Sequence, residues 1–181
     1  MPAATTDIHA PAPLRMEGVQ KDTLSKAWAL ARRGPGRSLQ PLDLVATTAF
    51  VAGGALLLWS AYIHFHLWGE SDGYRSIPTI GPLFLLQSIA GLVIGLGVIA
   101  VRQLWAAVVG FGFALLTIAG FLGSVIWGLF NFKDSWLAPY AKEAFTIEVI
   151  AAALFVAAAA LCFASSAPRV RPDPSPTGRT A

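Results

Sequence analysis

Four long apolar segments dominate the pattern of hydrophobic and polar positions along this chain. They cover residues 42–63, 80–101, 104–130 and 144–164, and no lysine or arginine interrupts any of them. Each is long enough to cross the roughly 30 Å hydrocarbon core of a bilayer, for which about 20 helical residues suffice. Because backbone groups in lipid must bond within their own segment, each segment is predicted to form a transmembrane α-helix.

The connections between these segments predict how the helices are arranged. Only Arg102 and Gln103 separate the second segment from the third, and the other two loops, 67–79 and 131–143, are also short. Helices joined by short loops are antiparallel neighbours. We therefore predict an all-α membrane protein whose four helices form an up-down-up-down bundle over residues 41–165.

The flanking regions differ from the bundle in composition. Residues 1–40 are basic and are predicted to be partly disordered, although residues 16–33 have apolar positions at helical spacing. That helix would lie either in the membrane interface, where basic residues attract anionic lipid, or in solvent. Residues 166–181 are rich in proline and are predicted to be a disordered tail.

The distribution of positive charge predicts the orientation in the membrane. Of the 13 lysine and arginine residues, ten lie on the side of the bundle that carries both chain ends. Arg75, Lys133 and Lys142 lie on the opposite side. Basic residues accumulate on the cytoplasmic side of a membrane, so both termini are predicted to be cytoplasmic. The alanine-rich composition, with more arginine than lysine, is typical of bacteria, which predicts a bacterial plasma membrane as the location.

Composition excludes several classes of function. Only 13% of the residues are charged, against about 25% in soluble domains, which argues against a cytosolic enzyme or a nucleic-acid-binding protein. Cys162 is the only cysteine, so an intrachain disulfide and a Cys-x-x-Cys redox pair are both excluded. We identify no catalytic motif and no residue pattern that requires a cofactor, and whether the protein is an enzyme is left open.

Small residues at four-residue spacing predict where helices approach each other closely. Such spacing lets the backbones of two membrane helices come into contact. We expect the second and third segments to form a tightly packed hairpin through Gly91, Gly95, Gly110 and Ala114. Gly120 and Ser124 are two further predicted packing residues.

Polar residues concentrate in one half of the predicted bundle. His64, Arg75, Gln87 and Glu148 all lie toward the predicted outer side, and Glu148 is about one turn inside its helix. An ionisable side chain at that depth indicates a functional site. We predict that these four residues hold a small ligand, a lipid group or a partner subunit, with Glu148 paired to Arg75 or His64.

Two other functions remain open. His64, His66, Glu70 and Asp72 could hold a metal ion in a metal- or quinone-linked redox component, since imidazole and carboxylate suit zinc or copper. Residues two apart on a regular helix point about 200° away from each other, so both histidines can bind one ion only if the helix has already ended. Alternatively, the bundle is structural and assembles with another membrane protein or with further copies of itself.

The segment from Ile63 to Gln87 also carries a family resemblance. Its distinctive stretches are His64-x-His66-Leu67-Trp68, Gly73-Tyr74-Arg75, Ile77-Pro78-Thr79-Ile80-Gly81 and Phe84-Leu85-Leu86-Gln87. In these stretches the chain resembles a group of uncharacterised small four-helix integral membrane proteins of actinobacteria. The resemblance implies the four-helix topology and a bacterial membrane, and it implies no activity.

Overall fold

A computed structural model of the protein describes residues 16–36, 40–70 and 73–164. These residues form five α-helices and one 3-10 turn, and no β-strand occurs within the described ranges. Four of the helices are long and apolar enough to cross a membrane. The elements are α1 (Met16–Ala31), α2 (Pro41–Gly69), the 3-10 turn (Tyr74–Ser76), α3 (Ile80–Val101), α4 (Leu104–Ile126) and α5 (Ala141–Ala164).

Two helix ends differ from the limits of the apolar segments. The α2 helix continues beyond Ile63 to Gly69, because the N–H of Glu70 still donates to the carbonyl of His66 at 3.1 Å. The α4 helix ends before Phe130, although the sequence stays apolar to that point. Gly128, Phe130 and Asn131 all have positive φ angles, which an α-helix cannot contain.

The α2 helix lies between α3 and α5. The Ser88 hydroxyl of α3 donates to the carbonyl of Ala61 at 3.0 Å, and Gly95 of α3 lies against Gly54, so α2 and α3 run antiparallel. The α5 helix packs against both α2 and α4. In contrast, α3 and α4 contact each other far less, although only two residues connect them.

The bundle has two halves of different construction. The closed half comprises residues 41–57, 91–112 and 149–164, and the cavity half comprises the described residues of 58–90 and 113–148. In the closed half, the buried ring of Phe155 lies between two glycines, so a Cβ atom at either Gly53 or Gly110 would come within 2.8 Å of it. A Cβ at Gly54 would lie 2.9 Å from the carbonyl oxygen of Gly95. Side chains and backbones therefore fill this half.

The expectation of a tight α3–α4 hairpin is wrong. Gly91 and Gly95 of α3 face α2, where Ala61 and Gly54 lie against them, and Gly110 of α4 faces Phe155 of α5. Small residues allow close approach to whichever helix is adjacent, and their spacing does not reveal which one that is. The short turn between α3 and α4 joins the helices at one end and leaves them apart at the other.

The segment after α1 is tied to the closed half. The N–H of Leu104 donates to the carbonyl of Arg33 at 2.7 Å, and the buried carboxylate of Asp43 accepts from the N–H of Gly36 at 2.9 Å. The α1 helix itself exposes Leu24 and Trp28. The two predicted locations of α1, in the membrane interface or in solvent, both stay predictions.

Candidate ligand-binding cavity

The cavity half encloses a space of about 570 Å³ between α2, α3, α4 and α5. The separation of α3 from α4 creates this space, since the other neighbouring helices pack closely. Most of the lining is apolar, and eight of the lining side chains are aromatic. A mostly apolar cavity with a few convergent polar groups is the usual form of a small-molecule site.

A carboxyl group, a hydroxyl group and an imidazole meet on one wall of the cavity. The Ser60 hydroxyl donates to Glu148 Oε1 at 2.8 Å, and the same hydroxyl lies 3.4 Å from His64 Nδ1. His64 Nδ1 also lies 2.8 Å from the backbone carbonyl of Ser60. A carbonyl can only accept, so Nδ1 carries the hydrogen and Nε2 keeps a lone pair when the ring is neutral. Glu148 is only 3% exposed.

This order of groups differs from that of a hydrolase triad. In a triad the histidine lies between the serine and the acid and accepts the serine proton. Here the serine lies between the acid and the histidine, and its proton points to Glu148. The arrangement fixes the position of a buried carboxyl group and does not activate Ser60 as a nucleophile.

Gln87 of α3 supplies a second polar group to the cavity. Its side chain lines the cavity, and its Nε2 atom is buried without a hydrogen-bond partner among the described residues. A buried donor left without a partner costs about 1–3 kcal/mol. Because this atom is itself buried, the amide group would have to turn toward the cavity before a ligand there could accept its hydrogen bond.

Two loop segments close the cavity at its polar end. The ring of Tyr74 stacks on Phe84 with centroids 4.2 Å apart and meets the edge of Phe132 at 5.7 Å. The Tyr74 hydroxyl bonds to the Asp134 side chain, and the N–H of Asp134 donates to Ser124 Oγ at 3.1 Å. Burial and the neighbouring Asp134 charge raise the pKa of Tyr74 to about 12. Burial also raises the pKa of Asp134.

The cavity opens sideways between α3 and α4. Leu83 and Leu86 of α3 and Leu116 of α4 line it, yet Leu86 is 61% exposed and Leu116 is 72% exposed. These leucines lie on helices of membrane-spanning length and composition. In a bilayer they would face lipid, so a molecule dissolved in the membrane would meet this opening directly.

The structure brings together three of the four residues predicted to form a polar cluster. His64, Gln87 and Glu148 line one cavity, whereas Arg75 lies exposed on the 3-10 turn and does not line it. The expectation that Arg75 pairs with Glu148 is wrong, because Ser60 is the hydrogen-bond partner and no salt bridge joins these two residues. His64, the other predicted partner, contacts Glu148 only through the shared Ser60 hydroxyl.

The two histidines of α2 face different surroundings. His64 lies against Phe84 inside the bundle, with ring centroids 5.2 Å apart. His66 Nε2 lies 3.0 Å from Glu70 Oε1, and the His66 ring lies between Tyr62 and Tyr140. Because α2 remains helical to Gly69, the predicted His64–His66 site is not assembled. The part of the chain that the structure describes contains no group of three or more potential metal ligands. Asp72 lies outside the described residues.

Two of the predicted packing residues belong to the cavity instead. Gly120 and Ser124 both line it, and no atom lies within 4 Å of a Cβ built at Gly120. Their four-residue spacing therefore reflects a cavity wall and not a helix contact. Ala114 is fully buried in the hydrophobic core.

Sequence reasoning did not select Ser60, Thr117 or Asp134 for the site. Thr117 contacts the Glu148 carboxyl and lines the cavity. Thr117 and Ser124 are seven residues apart, which places them on one face of α4 two turns apart. The seven-residue spacing of these two polar residues within an apolar helix is the sequence feature that could have identified Thr117 as a site residue.

The chain matches no protein-family model, no curated protein and no solved structure.

Proposed function

We propose that this protein is a membrane-embedded binding protein that holds a small membrane-soluble molecule in the cavity. The observation that carries this proposal is a 570 Å³ cavity whose mostly apolar lining includes Gln87 and Glu148 and which opens between exposed leucines of α3 and α4. The ligand has an apolar body that fills the cavity and a hydrogen-bond acceptor, such as a carbonyl oxygen, that meets Gln87. The adjacent Glu148–Ser60–His64 group supplies further polar contacts.

We further propose that the four helices alternate in direction across a bacterial plasma membrane, with both termini in the cytoplasm. The ten-to-three distribution of basic residues supports this orientation. In that orientation the cavity half lies in the outer leaflet. A role as an accessory subunit, in contact with another membrane protein or a second copy, stays a prediction.

Cysteine labelling in intact cells tests the orientation. Ser135 and Ser25 are both exposed and lie near opposite ends of the bundle. In a Cys162→Ala background, a membrane-impermeant maleimide should label Ser135→Cys and should leave Ser25→Cys unlabelled until the cells are broken. Labelling of Ser25→Cys in intact cells would overturn the orientation.

Photolabelling with benzophenone tests the binding function. This neutral aromatic ketone offers an apolar body and one carbonyl acceptor, and ultraviolet light inserts it into adjacent C–H bonds. We expect saturable labelling of the full chain in lipid nanodiscs. Gln87→Leu should weaken benzophenone binding about fivefold, since it removes one hydrogen bond to a buried group.

A pair of glycine variants on α4 provides the matched control. In Gly120→Leu the new Cβ meets no other atom, and the side chain extends into the cavity. Because it occupies the space of the ligand, it should abolish saturable labelling. Gly112→Leu also meets open space at its Cβ but does not line the cavity, so it should label like the wild type. Equal labelling of wild type and Gly120→Leu would refute the proposal.

A further inference from the structure

The cavity lining carries two carboxyl groups. Glu148 and Asp134 line it together with His64, and no lysine or arginine does among the residues that the structure describes. Lys133, the basic residue next to Asp134 in the chain, is exposed and is not part of the lining. A carboxylate enclosed in an apolar site is costly unless an opposite charge compensates it. A negatively charged ligand would be repelled by both carboxylates here.

The aromatic lining of the cavity also favours a positively charged ligand over a negatively charged one. Tyr74, Phe84 and Phe132 form one contiguous aromatic group at the polar end of the cavity. Phe121 and Phe145, whose centroids lie 6.0 Å apart, belong to the lining contributed by α4 and α5. The faces of aromatic rings carry negative electrostatic potential and attract organic cations, most strongly where water is excluded.

We propose that the cavity selects lipophilic organic cations, held by Glu148 and Asp134 and surrounded by aromatic rings. This inference rests on the binding function proposed above and adds the charge of the ligand. The cationic centre lies between the two carboxyl groups and the rings of Tyr74 and Phe84, and the apolar body extends toward the leucines at the lateral opening. Gln87 then bonds to a neutral acceptor on the same molecule.

Two ions of matched size and opposite charge test this selection. Tetraphenylphosphonium and tetraphenylborate have the same shape, and either can compete with benzophenone labelling of the full chain in nanodiscs of phosphatidylcholine. Because the two ions partition differently into lipid, each free concentration is corrected by its partition into nanodiscs without protein. Tetraphenylphosphonium should compete at a corrected concentration about tenfold lower than tetraphenylborate.

Neutral replacements of the acids link the selection to named residues. Glu148→Gln and Asp134→Asn should each weaken tetraphenylphosphonium competition about tenfold, as expected for loss of a charged partner. Both should leave tetraphenylborate competition unchanged or stronger. Glu143→Gln is the control, because Glu143 lies on the same helix, bonds to Trp59 Nε1 at 2.9 Å and does not line the cavity. Each competition is corrected for the variant's own benzophenone affinity, so that a change in benzophenone binding does not enter the comparison.

The failure of this inference is distinguishable from failure of the binding function. If benzophenone labels the cavity but tetraphenylborate competes as well as tetraphenylphosphonium, selection for cations is refuted and ligand binding stands. The same conclusion follows if neither acid replacement changes tetraphenylphosphonium competition. If benzophenone does not label the wild type saturably, the binding function fails, and this inference fails with it.

Discussion

The two halves of the bundle use the same kinds of residue for opposite purposes. In the closed half, glycines bring helices together, as where Gly53 and Gly110 enclose the ring of Phe155. In the cavity half, Gly120 faces open space, and aromatic rings line a cavity that they do not fill. The buried polar side chains of the described residues also divide unevenly, since only Asp43 belongs to the closed half, and the cavity half has Ser60, Ser88, Ser124 and Glu148.

This contrast indicates how a small membrane protein can combine a rigid support with a binding site. Close packing fixes α2, α4 and α5 in the closed half, where backbone and ring contacts leave no room for adjustment. In the cavity half α3 and α4 remain apart, which leaves space beside Glu148. The hydrogen bond from Ser60 holds that carboxyl group in place while the rest of the cavity remains open.

The largest expected effect comes from overfilling the closed half. Gly110→Leu forces a side chain against the ring of Phe155, whose atoms lie 2.8 Å from the Cβ position, and should lower the free energy of unfolding by about 3 kcal/mol. Gly120→Leu, on the same helix in the cavity half, should leave it almost unchanged. Thermal unfolding in detergent, followed by size-exclusion chromatography, compares the two variants.

Gly112→Leu is the control variant, because it adds the same side chain to α4 at a position where the Cβ meets no other atom. It should unfold at the temperature of the wild type. If Gly120→Leu destabilised the protein as much as Gly110→Leu does, the two halves would be equally packed and the contrast between them would be lost.

A smaller effect is expected from breaking the polar contact on the cavity wall. Glu148→Leu leaves the buried Ser60 hydroxyl without its acceptor and should lower the free energy of unfolding by about 2 kcal/mol. The double change Glu148→Leu with Ser60→Ala should be less destabilising than Glu148→Leu alone, because no polar group is then stranded. Chemical unfolding of the single and double variants measures this coupling, and strictly additive losses would contradict it.

The smallest expected effect is a change in the pKa of Tyr74, which lies where the two loops meet over the cavity. Asp134→Asn removes a negative charge and a strong hydrogen-bond acceptor, both of which favour the neutral form of Tyr74. The pKa of Tyr74 should therefore fall from about 12 toward its ordinary value of 10.0, without reaching it, because burial still raises it. Ultraviolet titration reports this change, and Tyr74→Phe identifies the signal among the three tyrosines. An unchanged titration would show that the two loops are not joined at Tyr74.

Sequence reasoning was sufficient for the helices because each apolar segment carries its own signal of length and composition. It placed His64, Gln87 and Glu148 in one half because their distance from the helix ends can be counted along the chain. It misjudged Arg75 and the α3–α4 contact, since both depend on how the helices are rotated and on which neighbours they face. Gly110 and Gly120 look alike in sequence, and only the position of Phe155 distinguishes them.

Mapping the sites of benzophenone insertion tests the central claim most directly. Peptide mass spectrometry of the labelled wild type should locate the label on the lining residues of α3 and α4, within 83–90 and 113–124. Peptides from 41–57 and 149–164, which belong to the closed half, should carry none above the level of a Gly120→Leu sample. Label distributed equally over both halves, or unchanged in Gly120→Leu, would contradict the claim that the cavity half is a binding site.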